Sequence, residues 1–161
     1  MTPHKFRLVF YALLSLLLMA LIFYLSSQPA PQSQRLSDGL LYKILSSLGF
    51  EDEGEMEFYG KLIRKVAHFA EYAALGLSLM LFFTELSGNT QEVLRLGAAR
   101  GFALCAMYAV SDELHQYFIP GRSMQLSDVL LDWSGSLAAV FFLFVLKKYI
   151  YSHREERKNF E

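Results

Sequence analysis

Four long apolar runs divide this chain, and polar segments separate them. The first covers positions 8–25 and is apolar apart from Ser15; the others cover 66–83, 98–118 and 128–146. A helix needs about 20 consecutive apolar residues to cross the hydrocarbon core of a bilayer, and each run is close to that length. The third is the least continuous. Its uninterrupted part is 101–110, and it reaches membrane length only if Arg100 snorkels at one end and positions 112–116 close the other. Between the first two runs, Pro29 and Pro31 break helix. Leu36, Leu40, Ile44 and Leu48 then recur at helical spacing with Leu41 and Leu45 beside them, which predicts a short amphipathic helix over 36–50. The acidic EDEGEME that follows reads as a solvated turn, and 84–96 as a polar connection turning at Gly88-Asn89. The expected fold is all-α: a polytopic membrane bundle of about four transmembrane helices, with a short amphipathic helix in the first extracytoplasmic loop, in one domain over 1–161.

Composition sharpens this picture. Hydrophobic residues make up 53% of the 161 positions, and they are bunched into blocks instead of spread with amphipathic periodicity. A net charge of −1 gives no basic surface for nucleic acid. The lone Cys105 cannot form an internal disulfide and reads as a small buried hydrophobe. The first run exceeds the 7–15 residues usual for a signal peptide, and no clean small-x-small site follows, so it is expected to stay as a span. Cations set the orientation. His4, Lys5 and Arg7 precede the first run, and Lys147, Lys148, Arg154, Arg157 and Lys158 fall in the basic tail 147–161. Both termini are therefore expected in the cytoplasm and the Arg122 loop outside, although the first long loop balances its cations with acidic residues.

The unusual polar chemistry lies in 111–135, SDELHQYFIPGRSMQLSDVLLDWSG. Asp112, His115 and Gln116 share one helix face, and Asp128, Asp132 and Gly135 share another. Pro120, Gly121 and Arg122 make a turn between them. On the second run, His68 and Glu71 share a face with Arg64 and Leu75. Glu71, Asp112 and Asp132 each fall about 5–10 Å inside the outer end of a different span, so they can converge in one pocket. Carboxylates inside apolar helices are costly and mark function by default. The bland alternative is a packing network in which His68, Arg64 or Arg122 pairs with the carboxylates. Arg122 suits a phosphate or carboxylate clamp, and equally an interfacial anchor or a partner for Asp128. H-E-x-x-H and paired C-x-x-C are absent, so no metal and no cofactor is expected. G-x-S-x-G is absent too, which argues against a serine hydrolase built on Ser111 or Ser123. Trp133, Tyr117 and Phe118 fit an interfacial belt, while Gly135 and the pairs Ala73-Ala74 and Ala138-Ala139 fit close helix contacts.

Three ordered motifs carry a resemblance. FYLSSQP at 23–29, RKVAHFAEYAALG at 64–76 and the 111–135 stretch together resemble the VanZ-like family of small bacterial membrane proteins. The family pattern K-x-x-H-F-x-x-Y falls on Lys65, His68, Phe69 and Tyr72. D-E-x-x-Q followed by P-G-R falls on Asp112, Glu113, Gln116, Pro120, Gly121 and Arg122. D-x-x-x-[N/D]-x-x-G falls on Asp128, Asp132 and Gly135, and the second glycine common in the family is Ala139 here. The resemblance implies a multi-pass protein of the bacterial cytoplasmic membrane and a link to resistance against the glycopeptide teicoplanin. It implies no reaction. The candidate pocket is Lys65, His68, Glu71, Tyr72, Asp112, Glu113, His115, Gln116, Arg122, Asp128 and Asp132. Its expected partners are the bilayer and a lipid-linked cell-wall precursor or a glycopeptide. The alternative is a membrane enzyme using the His/carboxylate cluster for acid–base or metal-assisted chemistry on a lipid-linked substrate.

Overall fold

A computed structural model of the chain describes residues 2–29, 39, 47, 53–87 and 91–158. Among them are four long helices and no strand: α1 (Pro3–Ser26), α2 (Glu53–Ser87), α3 (Gln91–Gln116) and α4 (Leu126–Lys158). Each contains a stretch long and apolar enough to cross a membrane. The fold is thus the all-α bundle that the apolar runs predict. The amphipathic helix expected over 36–50 lies outside the described residues, apart from Gly39 and Ser47, which are helical.

Two polar connections are shorter than expected. Glu53 to Glu57 belong to α2 and not to a turn. Acidic residues suit a helix N-terminus, where the dipole favours negative charge. The polar segment 84–96 is mostly helix as well, with Thr84 to Ser87 ending α2 and Gln91 opening α3. Thr84 is fully buried and its hydroxyl donates to the Met80 carbonyl at 2.7 Å, so its polar group is satisfied inside the helix. The N-terminus of α1 follows from its first residues. Pro3 opens the helix without wasting an N–H, and the Thr2 side chain accepts from the Lys5 N–H.

Helix α2 is the hub, packing against α1, α3 and α4. Successive helices run in opposite directions. Arg7 near the start of α1 forms a two-pronged bond with Glu85 near the end of α2, at 3.0 and 3.3 Å. Ser26 at the end of α1 reaches Asp112 near the end of α3. Glycines allow the close approaches. A Cβ on Gly101 would lie 2.6 Å from the Met80 backbone nitrogen, and one on Gly97 would strike Thr84. Ala138, in contrast, is exposed.

The core centres on Tyr72, Leu75 and Leu79 of α2, Cys105 and Ala109 of α3, and Ile22 of α1. A second cluster joins Met80, Leu94 and Val140 towards the other end. Helix α1 buries only Ser15, Ile22 and Ser26, and faces outward with Leu13, Leu16, Leu17 and Leu21. In water that face would be an aggregation patch; in lipid it is solvated. Ser15 bonds the Ser78 hydroxyl at 3.0 Å across the α1–α2 seam. Ser15→Ala should lower stability by about 0.6 kcal/mol, the typical worth of such a bond in a membrane bundle, read as a small fall in thermal midpoint in detergent.

Candidate functional site

The polar residues gather where α1 and α3 end and α4 begins. The turn that carries them has an assignable cause. Pro120 and Gly121 occupy its two central positions, the Arg122 N–H donates to the Ile119 carbonyl at 3.1 Å, and Gly121 takes φ 77°. A type II turn needs a positive φ at that third position, which glycine supplies without strain. The turn is then pinned to α3, since Glu113 Oε2 accepts from the Gln125 N–H at 3.1 Å just before α4.

Asp112, Glu113 and Gln116 are all buried on α3, at 2, 1 and 6% exposure. Asp112 Oδ2 accepts from the Ser26 hydroxyl at 2.8 Å and from the Gln116 amide at 3.3 Å. Neither His68, Arg64 nor Arg122 supplies a hydrogen bond to Asp112. Arg122 bonds elsewhere. Its Nε donates to the Gln28 carbonyl at 2.9 Å, and its two terminal nitrogens donate to Gln116 Oε1 at 3.2 Å and to the Leu25 carbonyl at 3.3 Å. It therefore caps the end of α1, an anchor in the protein rather than a partner for Asp128. Burial lowers its pKa from the ordinary arginine value, while Asp112 and Glu113 pull it back up, so the guanidinium stays charged.

His115 turns to α1 as well. Its ring stacks on Phe23 at 4.5 Å between centroids, and its Nε2 lies 3.1 Å from the Ser27 hydroxyl. Asp128 is half-buried at the start of α4 beside the Ser127 hydroxyl, and Lys65 is exposed on α2. These two lie at the margin.

The remaining candidates face one another across α2 and α4. Two close contacts bring those helices together. A Cβ on Gly135 would strike the Phe69 carbonyl, and one on Gly76 would strike Ser136. This approach sets Asp132, fully buried, with Oδ1 3.8 Å from Nδ1 of the partly exposed His68. Glu71, Asp112, Glu113 and Asp128 all lie within electrostatic reach of Asp132. The Tyr72 hydroxyl, also fully buried, sits in the field of both Asp112 and Asp132. Among the described residues, the buried side-chain atoms without a hydrogen-bond partner are His68 Nδ1, the Tyr72 hydroxyl, Asp112 Oδ1, both oxygens of Asp132 and the Ser136 hydroxyl. Buried polar atoms are satisfied as a rule, so this set marks one place where the fold leaves hydrogen-bonding capacity open. No three His, Cys, Asp or Glu side chains among the described residues are placed to hold a metal ion.

Several contributors escape a reading of helical spacing. Ser26 and Ser27 hold Asp112 and His115, yet small hydroxyls give no periodic signal; their mark is the SSQP motif itself. Trp133 is no simple belt residue. It packs on the core and donates its indole N–H to the Ala106 carbonyl at 3.1 Å.

Comparison with known proteins gives one positive result. No curated protein and no solved structure matches the chain. The model of the VanZ/LLP1 family matches residues 10–147, from the first helix to the end of the apolar part of the fourth. That match contains every candidate site residue and, but for the first two positions of the first run, all four apolar runs, so the chain belongs to the VanZ/LLP1 family.

Proposed function

We propose that this VanZ/LLP1 protein resides in the bacterial cytoplasmic membrane and binds a lipid or cell-wall-related ligand in an outward-facing polar pocket. The observation that carries the reading is the open hydrogen-bonding capacity of Tyr72, Asp112, Asp132 and Ser136 inside an otherwise apolar bundle. Unsatisfied polar atoms at such a depth are expensive for packing alone, and a ligand would satisfy them. The orientation rests on charge. His4, Lys5, Arg7, Arg95, Arg100, Lys147 and Lys148 lie at the end away from this cluster, and cationic ends face the cytoplasm. The cluster then opens outward, where teicoplanin acts on cell-wall precursors.

The test is teicoplanin susceptibility in a deletion strain carrying wild type, Glu71→Gln or Asp132→Asn at matched membrane levels. Wild type should protect and both variants should lose most of that protection. Equal sensitivity in all three strains rejects the antibiotic link, and reporter fusions placing the Arg122 loop in the cytoplasm reject the outward pocket. The approach of His68 to Asp132 favours a second reading, acid–base catalysis on a lipid-linked substrate. In that case Asp132→Asn would abolish turnover while leaving substrate binding intact.

A further inference from the structure

The open atoms differ in what they lack. Asp112 Oδ1 and both oxygens of Asp132 are acceptors without a donor, at residues 2 and 0% exposed. The charged and amide donors close by are already committed, and the Tyr72 and Ser136 hydroxyls, though open, are neutral. Ser26 and Gln116 serve the other oxygen of Asp112, and Arg122 serves Gln116 and two α1 carbonyls. His68 stands 3.8 Å from Asp132, beyond hydrogen-bonding distance. Glu71 and Glu113 add charge of the same sign to the surroundings of Asp132. A buried carboxyl in this state either takes up a proton or meets a cationic donor, because an unpaired charge at membrane depth is strongly unfavourable.

The group beside the carboxylates points the same way. The Tyr72 hydroxyl is fully buried, has no partner and lies in the field of both Asp112 and Asp132. Its ring sits 6.4 Å from that of Tyr108, whose own hydroxyl is taken by the Met19 carbonyl at 2.6 Å. Aromatic faces beside carboxylates suit an organic cation.

We infer that the cluster of Asp112, Asp132 and Tyr72 holds a primary ammonium group. This rests on the reading of the cluster as a ligand site and names the chemistry it recognises. An ammonium carries three N–H donors in a compact head, and the unmet carboxylate acceptors number three. A quaternary ammonium has no N–H and leaves those oxygens unsatisfied. The amine belongs either to a lipid headgroup or to a soluble compound.

The test uses the full chain in phosphatidylglycerol nanodiscs. Phosphatidylethanolamine or phosphatidylcholine is added in one arm and free ethanolamine in the other. Trp133, the one tryptophan of the chain, adjoins Asp132 and reports by fluorescence; native mass spectrometry counts retained lipid. Phosphatidylethanolamine should give a saturable response and be retained, and phosphatidylcholine should do neither. Asp132→Asn and Asp112→Asn should weaken the response about 30-fold or more, as expected when one member of a buried charge pair is neutralised. Glu71→Gln, at a half-buried position, covers the case in which the core variants misfold, and should weaken it by a smaller factor. A response to free ethanolamine as strong as to the lipid assigns the source as a soluble amine. Equal binding of phosphatidylcholine, or site-dependent binding of phosphatidylglycerol alone, overturns the ammonium assignment and leaves the lipid site standing. No response to any probe, with all three folded variants matching wild type, overturns both.

Discussion

Gly135→Leu should cost the bundle about 3 kcal/mol, and Gly135→Ala about half of that. The reason is local. A Cβ at this position collides with the Phe69 carbonyl oxygen and comes within 3.1 and 3.2 Å of the Phe69 carbonyl carbon and Cα. These are backbone atoms, so no rotamer change relieves the clash, and α2 and α4 must separate. The consequence reaches the site. Asp132 lies one turn before Gly135 and owes its approach to His68 to this contact. Thermal unfolding in detergent, followed by circular dichroism, gives the stability. The control is Gly39→Ala, where an added Cβ meets nothing within 4 Å and the midpoint should not fall. A Gly135→Leu protein as stable as wild type would mean that the close contact of α2 and α4 is not what holds the site together.

The same contact shows what a linear reading can and cannot supply. The four spans were legible because a bilayer imposes a length and a composition on each, and those survive without knowledge of packing. Gly135 was legible as a close contact because small residues let helices approach. The burial of Asp112 and Gln116 together followed from their four-residue spacing. The partners did not follow. Asp112 is held by Ser26, 86 positions away, and Arg122 caps a helix 94 positions before it. Residue type left Arg122 open as a clamp for a carboxylate or phosphate, an interfacial anchor or a partner for Asp128. The carbonyls at the end of α1 compete for it with the negative pole of a helix dipole, and nothing in the residue types around Arg122 announces them. Likewise Trp133 looks interfacial by type, but its indole N–H finds a carbonyl inside the bundle. The spans were therefore readable; which helix faces which was not.

Arg122→Gln tests the part that was not readable, and α1 should loosen at its site end. Beyond Ser15, Ile22 and Ser26, α1 buries little of itself, so its C-terminus depends on polar ties. Two of them come from one guanidinium, to the Gln28 and Leu25 carbonyls, and its third bond, to Gln116, ties it to α3. Removing it leaves those acceptors unmet beside the negative end of the α1 dipole, at a cost of about 3 kcal/mol. Arg122→Lys keeps the charge but not the fork, and should fall between. Ser26 provides the readout, since it is 1% exposed against Asp112. In a Cys105→Ser background, Ser26→Cys should be labelled by a maleimide only when α1 opens. Arg122→Gln should speed that labelling about 100-fold, the equivalent of 3 kcal/mol in the opening equilibrium. The increase should be confined to this end, because Arg7 and Glu85 still hold the other. If labelling stays at the rate seen with Arg122 in place, α1 is held by its narrow apolar stripe, and the site end of the bundle is sealed without the cap.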